Sequence, residues 1–353
     1  MRWLTRFWVA IHAVNIHTIV CEEYSLIKRR QLSPDTFLLR FALPRQIHSK
    51  ANILGLDSAL PTCISITVPE GTDIYENGNP TQGDLSKSYS PISHPATLGY
   101  FELIVKAYPP REGGGVGRYL THYIQVADET QSDDTDTCTD AHSVGTCTSS
   151  PPPVSIKARL KAPREVHGSP AILNRWQHIG LVAGGTGIAP LIQIASLILD
   201  SNSKIRTSYP EDNRRLTTIH VLYINRYKED ILYKEQLDRW SEEYPEEFIV
   251  SYSLTGNRSD DHEGQEKFFR GRGSAEMAKS TLPAPKIIDE DGIETFSNSM
   301  IFVCGTDGFV KSWGGSIGRA PPKMDGSKGP KIQGPLEGWL KEVGFSADQV
   351  FKY

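Results

Sequence analysis

The chain has 353 residues, enough for two domains of about 100–200 residues, each with a buried core. Its 38% hydrophobic and 23% charged residues are those of a globular protein, and a formal net charge of -4 excludes nucleic-acid recognition through a broad basic surface. Five cysteines are too few and too scattered for a disulfide scaffold or a zinc ribbon, and no uninterrupted apolar stretch of about twenty residues exists to make a polytopic membrane protein.

In residues 1–21, Arg2 and Arg6 precede a mostly apolar run with no acidic residue before Glu22, a bias shared by targeting segments. Trp3, Phe7, Ala10 and Val14 recur at helical spacing, which suits an amphipathic presequence or an interfacial anchor. His12, Asn15 and His17 interrupt the run and make a free-standing span poor. The segment reads as targeting or anchoring, with a disordered leader as the alternative. From Glu23 to Pro163, strand-like segments at 36–41, 62–68, 100–108 and 154–160 are bounded by Pro, Gly and Ser, and no long helix interrupts them. An antiparallel barrel or sandwich is expected. The polar tract 128–153 has almost nothing apolar to bury and reads as a mobile insertion. Its Cys138 and Cys147 either pair in an oxidising compartment or stay free thiols.

From Trp176 the pattern changes to alternating strand and helix. A buried strand at 178–183 leads through glycines into a helix at 190–199, with Leu191, Ile194, Ala195, Ile198 and Leu199 on one face. A strand at 217–225 precedes a helix at 230–244, with Asp230 placed to cap it, and strands at 247–254 and 300–304 follow. This order predicts a parallel sheet with helices on both faces and a ligand site at the carboxyl ends of its strands. Polar inserts at 257–266, 286–298 and 314–334 decorate it.

The strongest single feature is Gly184-Gly185-Thr186-Gly187-Ile188-Ala189-Pro190, between strand and helix. Such glycines let a phosphate approach backbone N–H groups at a helix N-terminus, and they also serve plain tight packing. The neighbouring motifs decide between the two. Lys87-Ser88-Tyr89-Ser90-Pro91, Phe101–Tyr108 and Gly113-Gly114-Gly115-Val116-Gly117-Arg118 come first. Asn225 with Lys228-Glu229-Asp230, then Cys304-Gly305-Thr306-Asp307-Gly308-Phe309 and the terminal Val350-Phe351-Lys352-Tyr353 follow in order. With these pieces the chain resembles the ferredoxin–NADP reductase superfamily, and within it the NADH–cytochrome b5 reductase branch, from Tyr24 to Tyr353.

The resemblance implies an antiparallel β-barrel FAD-binding domain at 22–170 and an α/β parallel-sheet NAD(P)-binding domain at 171–353. Lys87, Ser88, Tyr89 and Ser90 would hold flavin, with Ile104 and Lys106 on the next flavin-lining strand and Gly115, Val116 and Gly117 at the pyrophosphate. Gly184, Gly185, Thr186, Gly187, Asn225, Arg226, Gly305, Gly308 and Phe309 would serve the nicotinamide nucleotide. Thr186 would lie between nicotinamide and flavin, and Cys304 would position the nicotinamide ring. Hydride would pass from NADH or NADPH to FAD, and single electrons then to an acceptor protein such as cytochrome b5. Three departures from the family pattern stand out: Lys87 replaces an arginine, Gly117 a serine, and Thr255 an aspartate that bonds the adenosine ribose. Thr255 removes a repulsion against a 2′-phosphate, and Arg226 and Arg258 are close enough in sequence to supply cations. NADPH is therefore expected to serve at least comparably with NADH. The stretch from Cys304 through Gln333-Gly334-Pro335-Leu336 to Glu342 is also similar to mitochondrial flavoproteins that assist haem attachment to cytochrome c, which gives an assembly factor as the alternative. A mitochondrial or endoplasmic-reticulum membrane location is expected from residues 1–21.

Overall fold

In the computed structural model the residues described are 22–43, 63–74, 81, 85–94, 97–107, 115–127, 155–160, 165–167, 169–170, 175–208, 216–256, 268–285, 287–288, 294–295, 298–322, 324 and 329–353. The segment 1–21, the tract 128–153 with Cys138 and Cys147, Gly113, Gly114 and Arg258 lie outside them.

The first half builds six strands: β1 (Glu22–Ser33), β2 (Thr36–Ala42), β3 (Ile64–Val68), β4 (Leu85–Tyr89), β5 (Tyr100–Lys106) and β6 (Ser155–Leu160). They form an antiparallel sheet in the order β4-β3-β6-β1-β2-β5. The sheet wraps a core to which its strands contribute alternate residues, Leu39 and Phe41 from β2 and Phe101, Leu103 and Val105 from β5. The short helix α1 (Val116–Arg118) and the turn Tyr119–Tyr123 plug this core through Val116, Tyr119 and Leu120.

A small hairpin, β7 (Glu165–Val166) and β8 (Ser169–Pro170), leads to the second half. There β9 (His178–Gly184) is followed by a tight turn at Gly185–Gly187 and helix α2 (Ile188–Ser208). Next come β10 (Thr218–Asn225), α3 (Lys234–Glu243), β11 (Phe248–Leu254), β12 (Phe269–Arg270) and α4 (Ala275–Thr281). After a hairpin, β13 (Ile287–Ile288) and β14 (Glu294–Thr295), the chain forms β15 (Ser299–Cys304) and α5 (Asp307–Gly314). A second hairpin, β16 (Gly318–Arg319) and β17 (Lys331–Ile332), precedes α6 (Gly338–Val343) and β18 (Val350–Lys352). The resulting parallel sheet has the order β12-β11-β10-β9-β15-β18.

Strand periodicity of two divides this sheet between two cores. Ile219, Val221 and Tyr223 of β10 face one core with α2 and α3, while Leu222 and Ile224 face the other with α4, α5 and α6. Leu38 and Ile104, paired across β2 and β5 on the outer face of the first sheet, join the α2 core.

Helix α2 starts at Ile188 and runs to Ser208, longer at both ends than the apolar stripe at 190–199 marks; at its start, Pro190 is accommodated in the first turn. The single helix expected at 230–244 is corrected: a 3-10 turn at Lys228–Asp230 and Tyr233 in the left-handed region (φ 64°) separate Asp230 from α3. The Asp230 carboxylate accepts from the Tyr227 backbone N–H at 3.2 Å, so it caps the turn and not the helix. Near the end of the chain, the three N–H groups of the buried Lys352 ammonium are shared among four backbone carbonyls, those of Gly314, Ser316, Gly334 and Pro335, at 2.9–3.3 Å. This ties β18 to the segments flanking the β16–β17 hairpin.

Candidate active site

Where the first sheet meets the carboxyl ends of the second, two adjoining clefts open. The larger, about 720 Å³, is lined from the first half by Lys87, Ser88, Tyr89, Ser90, Ile104, Lys106, Gly115, Val116 and Gly117, which are all the residues the sequence assigns to flavin. Thr186, Gly187, Cys304 and Gly305 line it from the second half. Strand parity explains the selection: Phe101, Leu103 and Val105 point into the core, so Ile104 and Lys106 point out of it. The Lys106 ammonium lies 2.8 Å from the Asp35 carboxylate at the β1–β2 turn. Burial alone would push the Asp35 carboxyl up, but hydrogen bonds from Lys106 and Thr36 together with the Lys106 charge hold it below the usual range.

Gly117 has a steric reason. A Cβ there would stand 2.5 Å from the Lys106 carbonyl oxygen, so the close approach of α1 to the end of β5 leaves no room for the serine of the family pattern. Lys87 is exposed, with its ammonium 5.4 Å from the centre of the Tyr89 ring. Among the lining residues to which the sequence reading gives no site role are Cys63, whose Sγ is 3.7 Å from the Ser90 hydroxyl, and Arg118, Lys331 and Tyr353. Among the described residues the cleft is lined by four cationic side chains, Lys87, Lys106, Arg118 and Lys331, and one carboxylate side chain, Asp307. That balance fits an elongated cofactor carrying a pyrophosphate.

The smaller cleft, about 370 Å³, gathers Gly184, Gly185, Thr186, Asn225, Arg226, Thr255, Gly308 and Phe309 at the carboxyl ends of β9, β10, β11 and β15. Lys106, Thr186 and Thr306 line both clefts and mark where they meet. The glycines do separate jobs here. Gly185 takes the left-handed conformation (φ 54°) with open space where a Cβ would be. Gly187 nests on the end of β15, where a Cβ would be 2.2 Å from the Cys304 carbonyl oxygen. The Phe309 ring occupies the room beside Gly184 and Gly305. Thr306 caps α5, its hydroxyl accepting from the Phe309 N–H at 3.4 Å.

Tyr223, which the sequence reading passes over as a strand aromatic, is fully buried and donates from its hydroxyl to the Gly185 carbonyl at 3.0 Å. It pins the glycine turn from below, and burial raises its phenol above the ordinary tyrosine value. Arg272 is a second omission: it lines the smaller cleft from the segment after β12. Among the described residues neither polar atom of the buried Asn225 amide makes a hydrogen bond of good geometry, although the Tyr223 phenol lies beside it and the side chain borders the cleft. A buried amide left open toward a cavity fits a site that takes a polar ligand such as a nicotinamide nucleotide.

Comparison with known proteins agrees with this geometry. Residues 23–132 match the oxidoreductase FAD-binding domain family and residues 181–313 the oxidoreductase NAD-binding domain family. NADH-cytochrome b5 reductase 2 of Neosartorya fischeri is 31% identical over 335 residues, covering 94% of this chain and 77% of that one. NADH-cytochrome b5 reductase 2 of Yarrowia lipolytica is 28% identical over 337 residues, 94% of this chain and 85% of that one. Among solved structures, the cytochrome b5 reductase domain of Ulva prolifera nitrate reductase superposes with a TM-score of 0.57 at 19% identity, covering 95% and 97% of the two chains. A ferredoxin NADP+ reductase from Neisseria gonorrhoeae with bound FAD and NADP superposes with a TM-score of 0.52 at 12% identity, covering 94% and 97%. With both domain families present in order and a relative this similar over most of its length, the chain is an FAD- and NAD(P)H-dependent oxidoreductase and belongs to the NADH–cytochrome b5 reductase family.

Proposed function

We propose that this reductase passes electrons from NAD(P)H through FAD to a haem protein of the cytochrome type. One observation carries the reading: the two clefts join at Lys106, Thr186 and Thr306, so ligands in them would meet end to end. FAD, when bound, supplies the capacity to accept a hydride and release electrons singly. The protein's own part is alignment, and no side-chain acid or base is obligatory for hydride transfer. Tyr89, Ile104 and the Gly115–Gly117 segment would hold the flavin, with Lys87 and Arg118 offering charge to its phosphates. Thr186, Asn225 and Cys304 would orient the nicotinamide end, and the open backbone at Gly185 and Gly308 would admit the nucleotide's phosphates. The acceptor need not enter either cleft, since an exposed flavin edge can serve a docked protein.

The basic, acid-free leader at 1–21 supports attachment to or targeting at a mitochondrial or endoplasmic-reticulum membrane, which cell fractionation would check. Among the described residues no helix is long and apolar enough to cross a membrane.

The decisive experiment is to purify the full chain, extract and chromatograph its flavin, and follow bleaching by NADH or NADPH in stopped flow. Release of FMN, or of no flavin after reconstitution, refutes the reading. Cytochrome b5, cytochrome c and ferric haem as acceptors then separate a general reductase from a haem-attachment factor.

A further inference from the structure

The described part of the polar insert at 314–334 folds beside helix α5 and bounds with it a third cavity, of about 480 Å³. Val310 and Lys311 of α5, Ser316 and Ile317 after it, and Gly318 and Arg319 of β16 line this cavity and border neither cofactor cleft. Asp307 and Lys331 form the wall it shares with the larger cleft, and Gly308 lines both it and the smaller one. A concave volume of this size falls within the range of about 300–1,000 Å³ that small-molecule sites occupy.

Charge is placed there in a way that a hairpin ordinarily avoids. Arg319 lies directly opposite Lys331 in the antiparallel register, so the two side chains leave the same face with their roots about 5 Å apart. Both line the cavity, and like charges so placed destabilise a strand pair until an anion lies between them. Lys311 brings a third cation from α5. Asp307 stands four residues before it, the spacing at which helices form ion pairs. Even so, among the described residues none of Asp307, Lys311, Arg319 and Lys331 makes an ion pair. One guanidinium nitrogen of Arg319 donates to the Gly329 carbonyl at 3.2 Å, which anchors the fork and leaves its other N–H groups for a ligand. The hairpin itself is fixed by the Ala320 N–H, which donates to the Pro330 carbonyl at 2.9 Å. Behind the Ser316 part of the wall, the buried Lys352 ammonium donates to the Ser316 carbonyl at 3.3 Å and adds positive charge, with Glu337 as the acid it feels.

We propose that the cavity between α5 and the β16–β17 hairpin binds a small ligand bearing a diphosphate group. Three lining cations less Asp307 leave two positive charges to be neutralised, more than one carboxylate can balance. An arginine fork takes two oxygens of one phosphate, and a lysine directly opposite it offers a point charge to the next. The site does not depend on the reductase reading, since the residues that set it apart border neither cofactor cleft.

The test titrates inorganic pyrophosphate by calorimetry into the full chain loaded with FAD and saturated with NAD+, so that both cofactor clefts are filled. Saturable binding is expected, tighter than that of inorganic phosphate and weakening as salt rises. Arg319→Ala and Lys331→Gln should each weaken it about tenfold or more, and Arg319→Lys should keep part of it. Lys279→Ala, which removes an exposed cation of α4 that lines none of the three cavities, should leave it unchanged. Without pyrophosphate, Lys331→Gln should melt no lower than the unaltered chain, since it removes the repulsion from Arg319. Absence of saturable binding overturns the proposal. So does binding that survives both hairpin variants, which would put the anion in a cofactor cleft. A Lys331→Gln chain that melts lower also overturns it, because the lysine would then serve the fold. Unaltered pyrophosphate binding in Arg319→Ala with a raised KM for a cytochrome acceptor would make the cations a protein-docking face, again against the proposal. A chain that takes up no FAD fails the reductase reading alone, and the hairpin variants still decide the anion site on it.

Discussion

Gly187→Ala probes the joint on which the site depends. The added Cβ would stand 2.2 Å from the Cys304 oxygen, 2.5 Å from the Cys304 carbonyl carbon and 2.7 Å from the Gly305 nitrogen. All three are backbone atoms, so no side chain can swing aside. To reach a van der Waals distance of about 3.5 Å, the glycine turn and the end of β15 must part by roughly 1.3 Å. Overpacking of this kind costs about 1–3 kcal/mol, and rigid partners put the expectation near 3 kcal/mol. The same displacement moves Cys304 away from Thr186, and a misplacement of about 1 Å at a reacting pair can cost about a hundredfold in rate. Urea unfolding and stopped-flow flavin reduction would measure the two effects. Gly308→Ala is the control: its Cβ would meet nothing within 4 Å, so stability should hold or rise by up to about 1 kcal/mol. A Gly187→Ala protein with unaltered urea midpoint and reduction rate would show that the turn and the end of β15 are not in contact, and would refute the reasoning.

Three further outcomes are expected. Cys304→Ala should slow flavin reduction while FAD stays bound, because most of the flavin-lining residues belong to the first half; an unchanged rate would assign the thiol to packing. Lys352→Met should lower stability by about 3 kcal/mol, read from urea midpoints, since it leaves four inward carbonyls without their donor; a loss below about 1 kcal/mol would mean that water replaces the ammonium. Burial holds His94 and His220 below the ordinary histidine value, so the unfolded chain takes up these protons first and stability should fall as pH drops below about 6.5. Urea midpoints at pH 7.5 and 5.5 would check the sign, and His220→Gln should flatten the dependence.

The features legible in the sequence are those written in local pattern. Val221 and Leu222 alternate between two cores because β10 is covered on both faces, and the apolar run announces that burial without structural help. The GGTGIAP turn and the Lys87–Ser90 strand are likewise contiguous, and residues of both line the clefts. Asp230 misled because an acidic residue ahead of an amphipathic stretch looks like a helix cap; the turn and the left-handed Tyr233 between them leave no local trace in composition. Arg272, Lys331 and Tyr223 were illegible for another reason. Each reaches the site through tertiary pairing, Arg272 by β12 joining β11, Lys331 by the β16–β17 hairpin, and Tyr223 by the facing of β10 beneath the glycine turn. Gly117 could be noticed as a departure in sequence, yet only the approach of the Lys106 carbonyl explains it.

Leu38, Ile92 and Ile104 of the first half share one continuous apolar core with α2, β9 and β15 of the second. Halves that meet through a polar seam can hinge, whereas prying these apart would expose buried leucine and isoleucine side chains at about 1.5–3 kcal/mol each. Donor entry and product departure therefore fall to the open rims of the clefts and the loops around them, with no jaw-like swing of one domain on the other. Heat should accordingly melt the described body in a single calorimetric peak, and flavin release should coincide with that peak.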